Sequence, residues 1–333
     1  MKIKNFCLLF ISFILLHVAN AQTAKELQET AKNFMRQGDH SNAILILKKA
    51  LSQDPDNTSI GKDLAISYFY SQNEALALET IKPVLNSKDA DDQCFLIAAT
   101  INRQLKKYKD CIKVYKKGIK AFPESGPLYS GLGEIQMASK NTDAIKTWEK
   151  GIKQDPAYSK NYYSAAHYYA AEKNYVWSIL YAETFILMDP KSPNTTDTKA
   201  LLLDNYKALF TEVDFNKFNK EKSSFAKKYL ATMGKQTGQS TLGINAESLS
   251  MIRVRFIIDW FADASNPSFK VFDFQKQLLK EGLFEAYNQW LFASIENPKT
   301  YQSWIKVNAT EHNAFMKYQN TTIFKMPFGQ FYH

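Results

Sequence analysis

Glycine and proline are scarce in this chain of 333 residues, at 12 and 10 respectively. A turn-rich β fold needs many such breakers, so their shortage beside abundant Lys, Ala, Leu and Asn favours helices. Cysteine and histidine are also few, at 3 and 5. No C-x-x-C pair offers a zinc site. Glu311-His312 lacks the second histidine of H-E-x-x-H. The one polar, glycine-rich stretch is GKQTGQSTLG at 234–243. It fails as a P-loop, because Lys235 follows Gly234 but Gln236 stands where Ser or Thr is needed. It also fails as a nucleophile elbow, because Leu242 replaces the closing glycine after Gly238-Gln239-Ser240-Thr241. These shortages lead us to expect no cofactor, no metal and no enzymatic activity.

Long apolar runs are missing as well. Phe6 to Val18 is apolar but shorter than the ~20 residues of an ordinary membrane span. Lys2 and Lys4 precede it and Ala19-Asn20-Ala21 follows, the layout of a cleaved export signal. Residues 1–21 therefore read as a signal peptide, with the mature chain starting at Gln22 and no stable membrane anchor. Cys7 lies too far from the cleavage point to be a lipid-attachment site. Export permits a disulfide between Cys94 and Cys111. The alternative is two buried free thiols.

What the chain has is hydrophobic residues (45%), aromatics (23 Phe, 18 Tyr, 5 Trp) and an excess of positive charge. That hydrophobic content excludes wholesale disorder. The net charge of +9 falls to +7 once Lys2 and Lys4 are removed. Such a bias suits an acidic or membrane-surface partner. An exported chain without a concentrated basic stripe is not expected to bind nucleic acid. The lysines at 217, 220, 222, 227 and 228 read as a solvated helix face.

The organisation shows in the spacing. Pro55, Pro123, Pro156 and Pro190 are 68, 33 and 34 residues apart, and three of them follow aspartate. Ala43, Ala77, Cys111, Ala144 and Ser178 step by 34, 34, 33 and 34. A small side chain once per step is what two closely crossing helices require. The pattern resembles the tetratricopeptide repeat, W-x2-L-G-x2-Y then A-x3-F, A and P over 34 residues. Repeat one, 24–57, shows Leu27, Ala31, Phe34, Gly38, Ala43, Leu47, Ala50 and Pro55 in the family's places. Repeat two has Leu64, Ala65, Tyr68, Ala77 and Ile81. Repeat three has Phe95, Ala98, Ala99, Tyr108, Cys111, Tyr115, Gly118 and Pro123. Repeat four has Tyr129, Leu132, Gly133, Ala144, Trp148 and Pro156, and is one residue short in its turn Ser139-Lys140-Asn141. Repeat five has Tyr162, Ala165, Ala166, Tyr169, Ser178 and Pro190.

The resemblance implies an all-α, right-handed solenoid of helix pairs over 24–190. Residues 191–333 then form a helical continuation and cap with a flexible loop at 234–243. Helices are expected at 199–213, 215–233, 245–264, 269–280, 283–295 and 300–319, with Arg255 and Asp259 placed to pair. The resemblance further implies that positions 2, 5, 9, 12 and 13 of each first helix face the concave side. Carried over, these include Lys25, Lys32, Met35 and Arg36; Lys62, Ile66, Phe69 and Tyr70; Leu96, Thr100, Arg103 and Gln104; and Lys160, Tyr163 and His167. Glu134 is the one acid among them. From this set Lys32, Arg36, Lys62, Phe69, Tyr70, Arg103, Tyr163 and His167 are the candidate partner-binding residues. Lys32 stands where the carboxylate-clamp subtype needs asparagine. The expected function is a non-enzymatic scaffold of a bacterial envelope, periplasmic or secreted, holding a protein or extended peptide with acidic groups. The alternative is a glycan- or lipid-binding module.

Overall fold

The computed structural model describes residues 22–220, 222–240 and 243–333. The expected signal peptide, residues 1–21, lies outside the described residues. Among them there is no strand. None of their helices is long and apolar enough to cross a membrane. Compact packing divides the chain between Ala121 and Phe122.

The N-terminal unit holds three helix pairs. They are α1 (Ala24–Arg36) with α2 (His40–Gln53), α3 (Thr58–Tyr70) with α4 (Glu74–Val84), and α5 (Asp92–Gln104) with α6 (Tyr108–Ala121). Side-chain caps start several of them. Thr23 forms a capping box with Glu26, Asp39 accepts from Asn42 N–H at 3.1 Å, Asn57 from Ile60 N–H at 3.0 Å, and Asp91 from Cys94 N–H at 3.0 Å. Ala31, Ala43, Ala65, Ala77, Ala99 and Cys111 are fully buried where helices cross. Cys94 and Cys111 are both buried free thiols. Burial pushes each up to about 11, so both stay protonated and act as small apolar groups.

The C-terminal unit begins with the pairs α7 (Gly126–Ala138) and α8 (Ala144–Gln154), then α9 (Ser159–Ala171) and α10 (Tyr175–Met188). It continues through α11 (Thr195–Glu212), α12 (Ser224–Gly234), α13 (Ala246–Ala262) and α14 (Lys270–Lys280). α15 (Phe284–Asn288) runs through a π-helical turn, Gln289–Ala293, into α16 (Ser294–Glu296); α17 (Pro298–Val307) and α18 (Ala309–Thr321) complete it. One core extends from Ala144 to Met326. Tyr175 to Leu187 of α10 are all buried, because α9, α11 and α12 pack around it. Pro190 is therefore a bend inside the unit, not an edge between units.

The same turn closes the first helix of all five pairs. Gly38, Gln72, Lys106, Lys140 and Lys173 adopt φ of 76°, 59°, 57°, 55° and 56°. The next residue's N–H returns to the helix in each, as Asp39 to Phe34 O at 2.9 Å and Asn174 to Tyr169 O at 2.8 Å. This is a Schellman cap, which satisfies carbonyls the helix end would leave open. These positions step by 34, 34, 34 and 33. From Lys140 to Ala144 is four residues, against five in the other pairs. The missing residue of repeat four thus falls just after Lys140, and α8 starts at Ala144, one turn later than its counterparts.

Several expectations for 191–333 are corrected. The helix expected at 215–233 breaks into a 3-10 stretch, Phe215–Lys220, and α12. The helix expected at 300–319 divides at Asn308, which lies at φ −113°, ψ 42° and bonds Trp304 O at 3.0 Å. Of the expected loop, Gly234 ends α12 and Thr237–Ser240 forms a 3-10 turn. Gln236 is buried there and donates to Asp259 at 2.7 Å, so Asp259 is not the partner of Arg255. Arg253 is instead the arginine that matters to the core. It is 1% exposed and bonds Glu183 of α10 and Asn288 of α15. Glu183 also accepts from Tyr287 OH at 2.6 Å and Gln275 at 2.7 Å. Four helices are tied through one carboxylate, and removing Arg253 or Glu183 would strand the other's buried charge.

Candidate functional site in the N-terminal unit

Two of the three pairs build a pocket. Ile66, Phe69 and Tyr70 on α3, with Gln93, Leu96, Ile97 and Thr100 on α5, enclose about 260 Å³. Their helices are first members of successive pairs, and a 34-residue step returns the same face each time. Five of the seven residues were named among the groove positions that the resemblance implies. Gln93 and Ile97 were missed; the position-2 rule picks out Gln93, and Ile97 lies one residue off the rule. Tyr70 forms the open side. It is 64% exposed, its ring stacks on His40 at 5.0 Å, and Phe69 meets it edge-on at 5.6 Å. Phe69 and Leu96 are half-buried, so the walls are fixed while the mouth is wet.

The candidate cations differ in what they can do. Lys62 is engaged: its Nζ lies 2.5 Å from Asp91 Oδ2, the N-cap of α5. Burial opposes both charges, but the shared hydrogen bond and the opposite charge outweigh it. Asp91 is held below its ordinary range and Lys62 above. Lys62 thus joins pair two to pair three. Lys32 bonds Glu29 at 2.9 Å on its own helix, and Arg36 is exposed and contacts Asn33 one turn back. Arg103 is exposed on the last turn of α5, and its charge acts on the Cys111 thiol. These three remain at the surface of the unit.

Tyr163 and His167 belong to the C-terminal unit, on α9. Their rings lie 4.4 Å apart, and Tyr163 also packs on Phe185 at 5.2 Å. His167 Nε2 is buried with no hydrogen-bond partner among the described residues. Burial lowers the affinity of this imidazole for a proton, with Asp197 only partly opposing. Both side chains therefore act in packing. Among the described residues no group of three or more His, Cys, Asp and Glu is placed to hold a metal ion.

Stacked helix pairs with a small residue at each crossing and a Schellman turn every 34 residues define an all-α helix-pair repeat protein. Residues 36–118 match the family model described as "Anaphase-promoting complex, cyclosome, subunit 3". With its five-fold pattern of small residues, Asp-Pro corners and paired helices, the chain has the all-α helix-pair repeat fold and is similar to tetratricopeptide-repeat proteins. Among solved structures it is similar to pilF of Pseudomonas aeruginosa, at 17% identity over 56% of this chain and 84% of that one, with TM-score 0.49. It is similar to YrrB, described as a TPR protein with an unusual peptide-binding site, at 16% identity over 53% and 92%, with TM-score 0.41. It is also similar to a thermophilic TPR protein of Thermus thermophilus, at 13% identity over 54% and 100%, with TM-score 0.42. No curated protein matches the sequence.

Proposed function

We propose that the N-terminal unit is a peptide-binding scaffold that seats one apolar side chain of an extended protein segment between α3 and α5. The observation that carries this is the 260 Å³ pocket itself, apolar along Ile66, Phe69, Leu96 and Ile97 and polar at Gln93 and Thr100. That volume suits a single leucine-, methionine- or phenylalanine-sized group. Lys32, Arg36 and Arg103 bias the neighbouring segment toward acidic residues, each contact being charge-assisted. The site performs no bond chemistry; it holds. The working compartment on this reading is the bacterial envelope, reached through the N-terminal signal. Glycan stacking has weaker support, since of the groove tyrosines Tyr70 and Tyr163 only Tyr70 is exposed.

The test is selection from a random peptide display library with the full chain and with Tyr70→Ala. Enriched peptides should share an apolar residue flanked by Asp or Glu. Tyr70→Ala should weaken their binding by ~1–2 kcal/mol, as loss of an aromatic anchor does. Because Tyr70 is mostly exposed, the thermal melt should hardly move. An enriched set that binds Tyr70→Ala as tightly as the parent would refute this pocket as the site.

A further inference from the structure

Helical winding concentrates charge that looks dispersed in the sequence. Lys109, Lys113, Lys116 and Lys120 follow one another at intervals of four, three and four residues on α6, and all are exposed. Those intervals place them within about 60° of one another around the helix axis. They form a stripe about 16 Å long, at 1.5 Å per residue. The sequence contains no such block; the helix makes it. The buried side of α6 is Cys111, Tyr115 and Gly118, so rotation of the stripe is fixed by the core. Lys117 is set apart from it, donating to Leu85 O at 3.0 Å and to Asn86 at 2.7 Å at the end of α4. Asp110 is the only acid on α6, and it reaches Lys113 at 3.5 Å. Lys48 on α2 and Lys82 on α4 hold the same place in their pairs as Lys116, five residues after the small crossing residue, and both are exposed.

We infer that this lysine face of α6 docks the protein reversibly on a membrane surface rich in anionic lipid. The proposal goes beyond peptide binding, since it uses a helix that contributes nothing to the pocket. Charge complementarity is the warrant. All the cations are lysines, compact point charges on flexible stems, which suit a fluid field of headgroups. A nucleic-acid face would be expected to mix arginine and open aromatic rings into the stripe for bidentate contacts and base stacking, and the stripe has neither.

The experiment is co-sedimentation of the full chain with vesicles of phosphatidylcholine alone and with about one-third phosphatidylglycerol, at low and high salt; these lipids are stand-ins for any anionic bilayer. Binding is expected only to the anionic vesicles, and it should be released by salt. Each lysine removed should weaken it about fivefold, so K109Q/K113Q/K116Q/K120Q should lose more than a hundredfold. A matched control, K140Q/K146Q/K153Q/K191Q, removes the same net charge elsewhere and should retain most of the binding. Melts of both variants should match the parent, because every substituted lysine is exposed. Failure of the parent to bind anionic vesicles would overturn the inference. So would equal loss in the control, which would make the effect one of net charge alone. Tighter binding to single-stranded DNA or to polyglutamate than to the vesicles would overturn it too.

Discussion

Gly133→Ala should destabilise the protein although it improves helix propensity. Gly133 lies in α7 at the place occupied by Ala31, Ala65, Ala99 and Ala166 in the other pairs. The side chain facing that place from the second helix is Leu47, Ile81, Tyr115, Trp148 or Ala182, by register. Glycine thus stands where the partner is largest. A Cβ at 133 would lie 2.2 Å from Trp148 Nε1 and 2.6 Å from Cδ1 and Cε2. The indole cannot move freely, being 4% exposed and donating from Nε1 to Ser130 O at 3.3 Å. Such overpacking costs ~1–3 kcal/mol, and alanine regains ~0.5–1 kcal/mol of backbone entropy relative to glycine. The net loss should be about 1–2 kcal/mol in urea denaturation of the full chain. Trp148→Tyr alone should also destabilise by leaving a void. Combined, the two recreate the Ala99–Tyr115 pairing of the third pair. The double variant should then be more stable than the sum of the singles by about 1 kcal/mol or more. A neutral Gly133→Ala, or strict additivity in the cycle, would refute the reasoning.

Lys140→Gly should stabilise by ~0.5–1 kcal/mol, because only glycine occupies φ near 55° without strain; thermal melts check it. Ala144→Leu should cost ~1–3 kcal/mol by the same assay, since Ala144 is 0% exposed at the α7–α8 crossing. Lys199 is 6% exposed, donates to Trp290 O at 2.8 Å in the π-helical turn and lies 3.4 Å over the Trp290 ring. Burial pushes it down to about 7 from 10.5. Between those values the unfolded chain holds the proton and the fold does not, so stability should rise with pH from about 7 to 10.5. Lys199→Met should remove that slope and be more stable by ~1 kcal/mol below pH 7, read from urea midpoints across pH. His167 works in the acid range, being neutral in the fold below its ordinary 6.5. Stability should fall as pH drops below about 6.5, and His167→Gln should flatten that decline.

The repeat architecture was legible because its signals are local. A small residue at each crossing and the proline corners between pairs, recurring at 33 or 34 positions or a multiple of them, are set within a few residues of chain. A helix pair needs little more to form its own crossing. The groove positions came from the family resemblance, and five of the residues it names, Ile66, Phe69, Tyr70, Leu96 and Thr100, line one cavity. The pairing of particular charges did not follow. Lys62 reads as a groove cation, yet 29 residues on it meets Asp91, because stacking brings the α5 cap beside α3. In the C-terminal unit the local beat fades, and long-range packing takes over. Glu183 and Arg253 meet across 70 residues, and His333 reaches Glu149 at 3.0 Å. Such contacts depend on how whole helices pack against one another, and the order of residues along any one of them carries no mark of that. Helical periodicity determined which side of each helix would be buried; only the packed core decided that Arg253, not Arg255, would be the arginine inside it.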